Sequence, residues 1–217
     1  MKHPITIYEK ISWSVSSFIA KLGFSPNQIT ILRLLIFVPP SMFFFSLGDY
    51  FSGLIGLVFY HLFMFFDFVD GQVAHLRSMQ TSLGSWLDPF VDIIGKDFIV
   101  FSLILGLYNL NAKIVVWIIG FLLLFVDRLV SYMYRQIFSV HNLGSEIRSR
   151  DDLIKNVLIS LTGRPRFPHP LSIVFSFSIV ISLGVLFNQV FIALLLLLLT
   201  HGLRLGAEIF ILYKKTK

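Results

Sequence analysis

The sequence predicts an all-α integral membrane protein: six transmembrane helices preceded by an N-terminal amphipathic surface helix. Three observations carry this reading. Hydrophobic residues make up 56% of the 217 residues and charged ones only 14%, with a mean hydropathy of +0.81, whereas soluble domains are about a quarter charged. Apolar runs of the roughly 20 residues that a membrane helix needs recur six times. Lys and Arg fall almost wholly on one set of connections. The composition excludes a soluble globule and a disordered chain, and the lack of cysteine excludes a disulfide scaffold. The net charge of +6 would suggest nucleic acid in a soluble protein. Here its placement matters more than its sum, and no nucleic-acid partner is expected.

The interfacial segment is expected over residues 1–24. Ile5, Tyr8, Ile11, Ser12, Val15, Ser16, Phe18, Ile19 and Leu22 fall largely on one helical stripe, with Lys10, Ser14, Ser17 and Lys21 off it. That pattern suits a helix lying on the membrane surface or one packed on the protein. Its mixture of charge and Ser argues against a signal peptide. Ser25-Pro26-Asn27 then opens a membrane domain over residues 25–217.

The spans are expected at about 28–47, 51–75, 84–108, 113–138, 171–187 and 190–213. Pro39-Pro40 predicts a kink in the first. Only Asn188-Gln189 separates the last two, which predicts a helical hairpin. The long connection 139–170 leaves room for a short helix over 151–161, followed by a run whose prolines forbid regular helix. One set of ends holds 13 Lys and Arg, the opposite set Lys113 alone, and Arg33, Lys96, Arg128 and Arg204 lie within spans. By the positive-inside rule both termini are cytoplasmic.

The chemistry lies in four aspartates. Asp67 and Asp70 sit near the cytoplasmic end of the second span, Asp88 and Asp92 in the first turns of the third. On a helix Asp67, Asp70, Gly71 and Ala74 share an arc of about 100°, and Gly84, Asp88 and Asp92 an equally narrow stripe. Antiparallel neighbours can point these stripes at each other. One Asp at a helix centre costs about 2.5–3.5 kcal/mol, less near an interface. Like carboxylates face to face need something positive between them. Two divalent cations would cancel four negative charges, and all-oxygen ligation selects Mg²⁺ or Mn²⁺. Protonated carboxylates or a proton relay are the alternative.

Written out, the pattern is Asp67-x2-Asp70-Gly71-x2-Ala74-His75-x8-Gly84-x3-Asp88-x3-Asp92. It resembles the signature of the CDP-alcohol phosphotransferases, D-x2-D-G-x2-A-R-x8-G-x3-D-x3-D. Seven of eight fixed positions agree, and His75 stands where that family usually has Arg. Arg77 is turned about 200° away on a helix, which makes it a poor direct substitute. The run 25–33, Ser-Pro-Asn-Gln-Ile-Thr-Ile-Leu-Arg, also resembles the family's first membrane helix, and Leu87-Asp88-Pro89-Phe90-Val91-Asp92 its phosphatidylglycerophosphate-synthase branch.

The resemblance implies a membrane transferase of phospholipid synthesis. An alcohol hydroxyl attacks the phosphorus of a CDP-linked donor, expected to be CDP-diacylglycerol, and CMP leaves. It implies Asp67, Asp70 and Asp88 as metal ligands, with Asp92 as general base and further ligand. Gly71, Ala74 and Gly84 would admit the nucleotide, or else serve close helix packing. Asn27, Thr30 and Arg33 recur every three residues and could approach the donor, although an Arg there could also snorkel to the interface. Lys96, Arg128, Arg166 and His169 are candidate contacts to the acceptor. Lys96 could equally pair with Asp92, and Arg128 with an acid elsewhere. Arg204 and Glu208 are expected to pair with each other. The expected partners are donor, alcohol acceptor and membrane lipids, and the expected assembly is a homodimer. Three other readings stand beside this one. The donor could be a small CDP- or CMP-linked headgroup with a lipid or glycan acceptor. A transporter could use the same carboxylates, though no internal repeat supports one. A relative that binds without turnover is left open by His75.

Overall fold

The computed structural model describes residues 7–140 and 177–215, all its regular elements being helices. These are α1 (Ile7–Lys21), α2 (Pro26–Leu47), α3 (Tyr50–Leu76), α4 (Ser82–Asn111), α5 (Ile114–Val140), α6 (Phe177–Leu186) and α7 (Val190–Lys215). The expected helix at 151–161, with Arg166 and His169, lies outside the described residues, as does the side chain of Glu208. The chain divides into two compact units, Met1–Ala112 and Lys113–Lys217.

Three helices are long and apolar enough to cross a membrane: α2, α3 and the Ile114–Tyr132 part of α5. At 1.5 Å per residue the 22 residues of α2 reach about 33 Å, the thickness of the hydrocarbon layer. Their outer faces expose Leu35, Phe43, Phe51, Val58, Ile118 and Phe121, surface that water would not tolerate on this scale. Of the remaining predicted spans, 84–108 falls within α4 and 190–213 within α7, and the described part of 171–187 contains α6. α4 has 30 residues but carries Asp88, Asp92, Lys96 and Asp97 between its N-terminus and its middle. α6 and the Val190–Gly206 stretch of α7 are shorter apolar helices.

In the first unit α2 packs against both α3 and α4, and α1 packs on α3. Local chemistry sets each start. Ser25 caps α2 through a reciprocal pair with Gln28, and Pro26 occupies the first turn, where its missing N–H costs nothing. Asp49 caps α3 on Ser52 N–H, and Thr81 caps α4 on Gly84 N–H. α2 runs without a break through Pro39 and Pro40. It ends at Gly48, whose φ of 83° suits glycine. A Cβ on Gly48 would strike the carbonyl of Gly106 on α4, so this corner rests on the α4 backbone.

The α1 stripe divides between two surroundings. Ser12 and Ser16 are buried, Ser16 Oγ donating to Gln72 Oε1 at 2.7 Å and Gln72 Nε2 to Ser12 Oγ at 3.0 Å. Val15, Ile19 and Ala20 pack on Ile29, Val69 and Val73. Ile11, Phe18 and Leu22 face outward. A helix packed on the protein therefore describes one side of α1, and an apolar outer face the other.

In the second unit α5 packs on α7, and α6 packs on α7 as the expected hairpin. Asn188 takes the left-handed turn conformation, φ 54°. A Cβ on Gly184 would collide with Ala193, which explains how the two helices meet so closely.

Candidate active site

The site is assembled at the N-terminal turns of α2, the last turns of α3 and the first turns of α4. Capping fixes where α2 begins, and from there Asn27, Thr30 and Arg33 recur on one face. That face is turned inward: Thr30 and Arg33 are buried. The Thr30 hydroxyl donates to Asp70 Oδ2 at 2.8 Å.

Arg33 is the centre of the arrangement. Its Nη2 lies 2.6 Å from Asp88 Oδ1 and 2.9 Å from Asp67 Oδ1. Nη1 lies 3.0 Å from Asp92 Oδ1, and Nε 3.4 Å from Asp70 Oδ2. The Phe63 ring supports the guanidinium from below, 4.9 Å from its carbon to the ring centroid. One cation thus meets all four aspartates that the spacing on two helices points at each other. The carboxylates differ in openness: the Asp70 side chain is 6% exposed, Asp67 26%, Asp92 32% and Asp88 45%.

Asp67, Asp70 and Asp88 can each offer one oxygen, all within 4.8 Å of one another. This all-oxygen set fits a hard divalent ion such as Mg²⁺ or Mn²⁺. One guanidinium balances only one of the four formal negative charges around it, so further positive charge is welcome there. Asp92 touches the same guanidinium through a different nitrogen.

The small residues separate. A Cβ on Gly71 would meet nothing within 4 Å, so helix packing does not account for that glycine. A Cβ on Gly84 would come 2.9 Å from Asn27 Oδ1, so Gly84 makes room for the Asn27 side chain. Ala74 is half-buried on α3. His75 is exposed in the last turn of α3. Arg77 does not take its place. Its Nη1 donates to the carbonyls of Gly23 and Phe24 at 2.9 and 2.8 Å, tying the end of α3 to the chain that enters α2.

Among the described residues Asp92 pairs with Arg33 and not with Lys96. In the second unit Arg128 Nη2 lies 3.8 Å from Asp127 Oδ2, and Asp127 Oδ1 lies 3.3 Å from His201 Nε2. Sequence reasoning missed Phe63, Gly95 and His201. Gly95, three residues after Asp92, shares its face, and Phe63, four before Asp67, shares that of Asp67; these spacings were the signal available.

The CDP-alcohol phosphatidyltransferase family matches residues 24–211. The chain belongs to this family. Among curated relatives it is 30% identical to archaetidylinositol phosphate synthase of Pyrococcus horikoshii, over 54% of this chain and 57% of that one. It is 26% identical to phosphatidylinositol phosphate synthase of Streptomyces avermitilis, over 42% and 36%. The matches thus span about half or less of these relatives. Among solved structures it resembles Mycobacterium tuberculosis phosphatidylinositol phosphate synthase with CDP-DAG bound, at a TM-score of 0.58 and 19% identity, covering 92% of this chain and 94% of that one. The same enzyme with manganese and citrate gives a TM-score of 0.58 at 19% identity over 91% and 88%. These two likenesses concern the fold. With its apolar helices, family membership makes the chain an integral membrane protein.

Proposed function

We propose that this chain transfers the phosphatidyl group of CDP-diacylglycerol to a hydroxyl of a phosphorylated polyol such as inositol phosphate, releasing CMP. The observation that carries the reading is the meeting of Asp67, Asp70, Asp88 and Asp92 around one buried arginine at the ends of α2, α3 and α4. The names of the curated relatives support the acceptor class.

Asp67, Asp70 and Asp88 would hold the divalent ions, with Asp92 at their edge. When bound, these ions neutralise the pyrophosphate and stabilise charge on the leaving CMP. Thr30 holds Asp70 in place from the buried side. Gly71 leaves open space through which the nucleotide reaches the carboxylates. Asp92, about one-third exposed and held through Oδ1, takes the acceptor proton on its other oxygen. The acceptor oxygen bonds to the phosphorus farther from cytidine, the bond from that phosphorus to the bridging oxygen breaks, and CMP departs with its electron pair.

Ile11 and Phe18, exposed on α1, and Leu22 just after it, support placing that helix at the membrane surface. The distribution of Lys and Arg supports cytoplasmic termini and a site open to the cytoplasm.

The test is CMP release by purified protein with Mg²⁺ or Mn²⁺ and CDP-diacylglycerol, scanning inositol phosphate, glycerol phosphate, inositol, glycerol and serine. Release is expected with a phosphorylated polyol. Turnover only with a small CDP-linked headgroup and a lipid acceptor would reverse the assignment of donor and acceptor.

A further inference from the structure

Arg33 occupies the middle of the carboxylate cluster rather than its rim. Its side chain is fully buried, and the same nitrogen, Nη2, bridges Asp67 and Asp88 from opposite helices. These are two of the three aspartates whose oxygens come within 4.8 Å of one another. A divalent ion seated among those oxygens would stand a few ångströms from a guanidinium that cannot lose its charge. Beside a guanidinium that is itself fully buried, like charges at that separation repel. The carboxylate oxygens are also finite: those turned toward Arg33 are not fully available to an ion.

We propose that Arg33 and the divalent ion compete for this carboxylate cluster. Arg33 holds the four carboxylates together across α2, α3 and α4, and yields oxygens of Asp67 and Asp88 as the ion enters. The buried Nη2, which then loses both its partners while Nη1 keeps Asp92, needs a new anion. On the transferase reading, on which this last step rests, the donor's phosphates supply it. Arg33 would then be a positioning residue that links metal loading to donor binding.

The competition has a direct readout. Mn²⁺ affinity of the detergent-solubilised protein is measured by the EPR signal of free Mn²⁺, alongside the thermal midpoint in EDTA and in Mn²⁺. Arg33→Gln should bind Mn²⁺ about tenfold or more tightly than the parent protein, the effect of removing one charge beside the ion. Its midpoint in EDTA should fall, and Mn²⁺ should raise it by more than it raises the parent's. If Arg33→Gln does not fold, Arg33→Lys carries the test. Its single ammonium cannot bridge as the fork does, so Mn²⁺ binding should again tighten, by a smaller factor. Unchanged or weaker affinity in the folded variant overturns the competition, as does a protein that binds no Mn²⁺ with or without Arg33. Tighter binding by the variant, together with a parent protein that releases no CMP from CDP-diacylglycerol, would instead sink the transferase reading and leave the competition standing.

Discussion

The ring of Phe63 on α3 fills the space that a side chain at Gly95 on α4 would need, its edge in direct contact with where a Cβ would stand. The face of that ring lies against Arg33. A glycine with no chemistry of its own therefore sets where the cation sits among the aspartates. Gly95→Leu should destabilise the protein by about 1–3 kcal/mol through overpacking and lower CMP release. Pairing it with Phe63→Ala should recover part of the thermal midpoint. A Gly95→Leu protein as stable as the parent would mean that the ring moves aside at little cost.

Thr30 gives Asp70, the most buried of the four carboxylates, its hydroxyl donor. Thr30→Val keeps the shape and removes the donor. A loss of about 1–3 kcal/mol is expected, read as a lower midpoint in detergent. Mn²⁺ should restore part of it by supplying the charge that the carboxylate then lacks.

Asp92 is the carboxylate assigned to the acceptor proton. Asp92→Asn should cut turnover by about 10²- to 10⁴-fold while CDP-donor affinity stays nearly intact. If donor affinity drops as far as rate, Asp92 acts chiefly as a metal ligand.

Exhaustive EDTA treatment should abolish CMP release, and added Mg²⁺ or Mn²⁺ should restore it. Full release after chelation would refute the role given to Asp67, Asp70 and Asp88.

His75 is exposed and lies outside the contacts of Arg33. His75→Arg should keep or raise activity, and His75→Ala should cost less than any aspartate substitution. Arg77→Ala is expected to do more harm than His75→Ala, because it frees the Gly23 and Phe24 carbonyls that anchor the entry to α2. A folded but inactive His75→Arg protein would give the histidine a role of its own.

What the sequence determined by itself is local and periodic. The helix start at Ser25 follows from a capping residue that acts within one turn, and the structure shows Asp49 and Thr81 capping α3 and α4 in the same local way. The inward stripe of Asp67 and Asp70, and that of Asp88 and Asp92, follows from 3.6 residues per turn, with no knowledge of neighbours. Family resemblance then followed from the spacing. The tertiary structure decided what meets those stripes. Arg33 has the same spacing whether it snorkels to the interface or turns inward, and only the packing of α2 against α3 and α4 sets it beside the carboxylates. The same holds for α1, where periodicity marks one stripe and packing turns Ser12 and Ser16 inward but Phe18 outward. Asp127 and His201 meet across 74 positions of sequence. A helix's own period states which residues share a face. Which partner that face touches depends on contacts between segments far apart in the chain, made by close packing and by the need of each buried charge for a counter-charge.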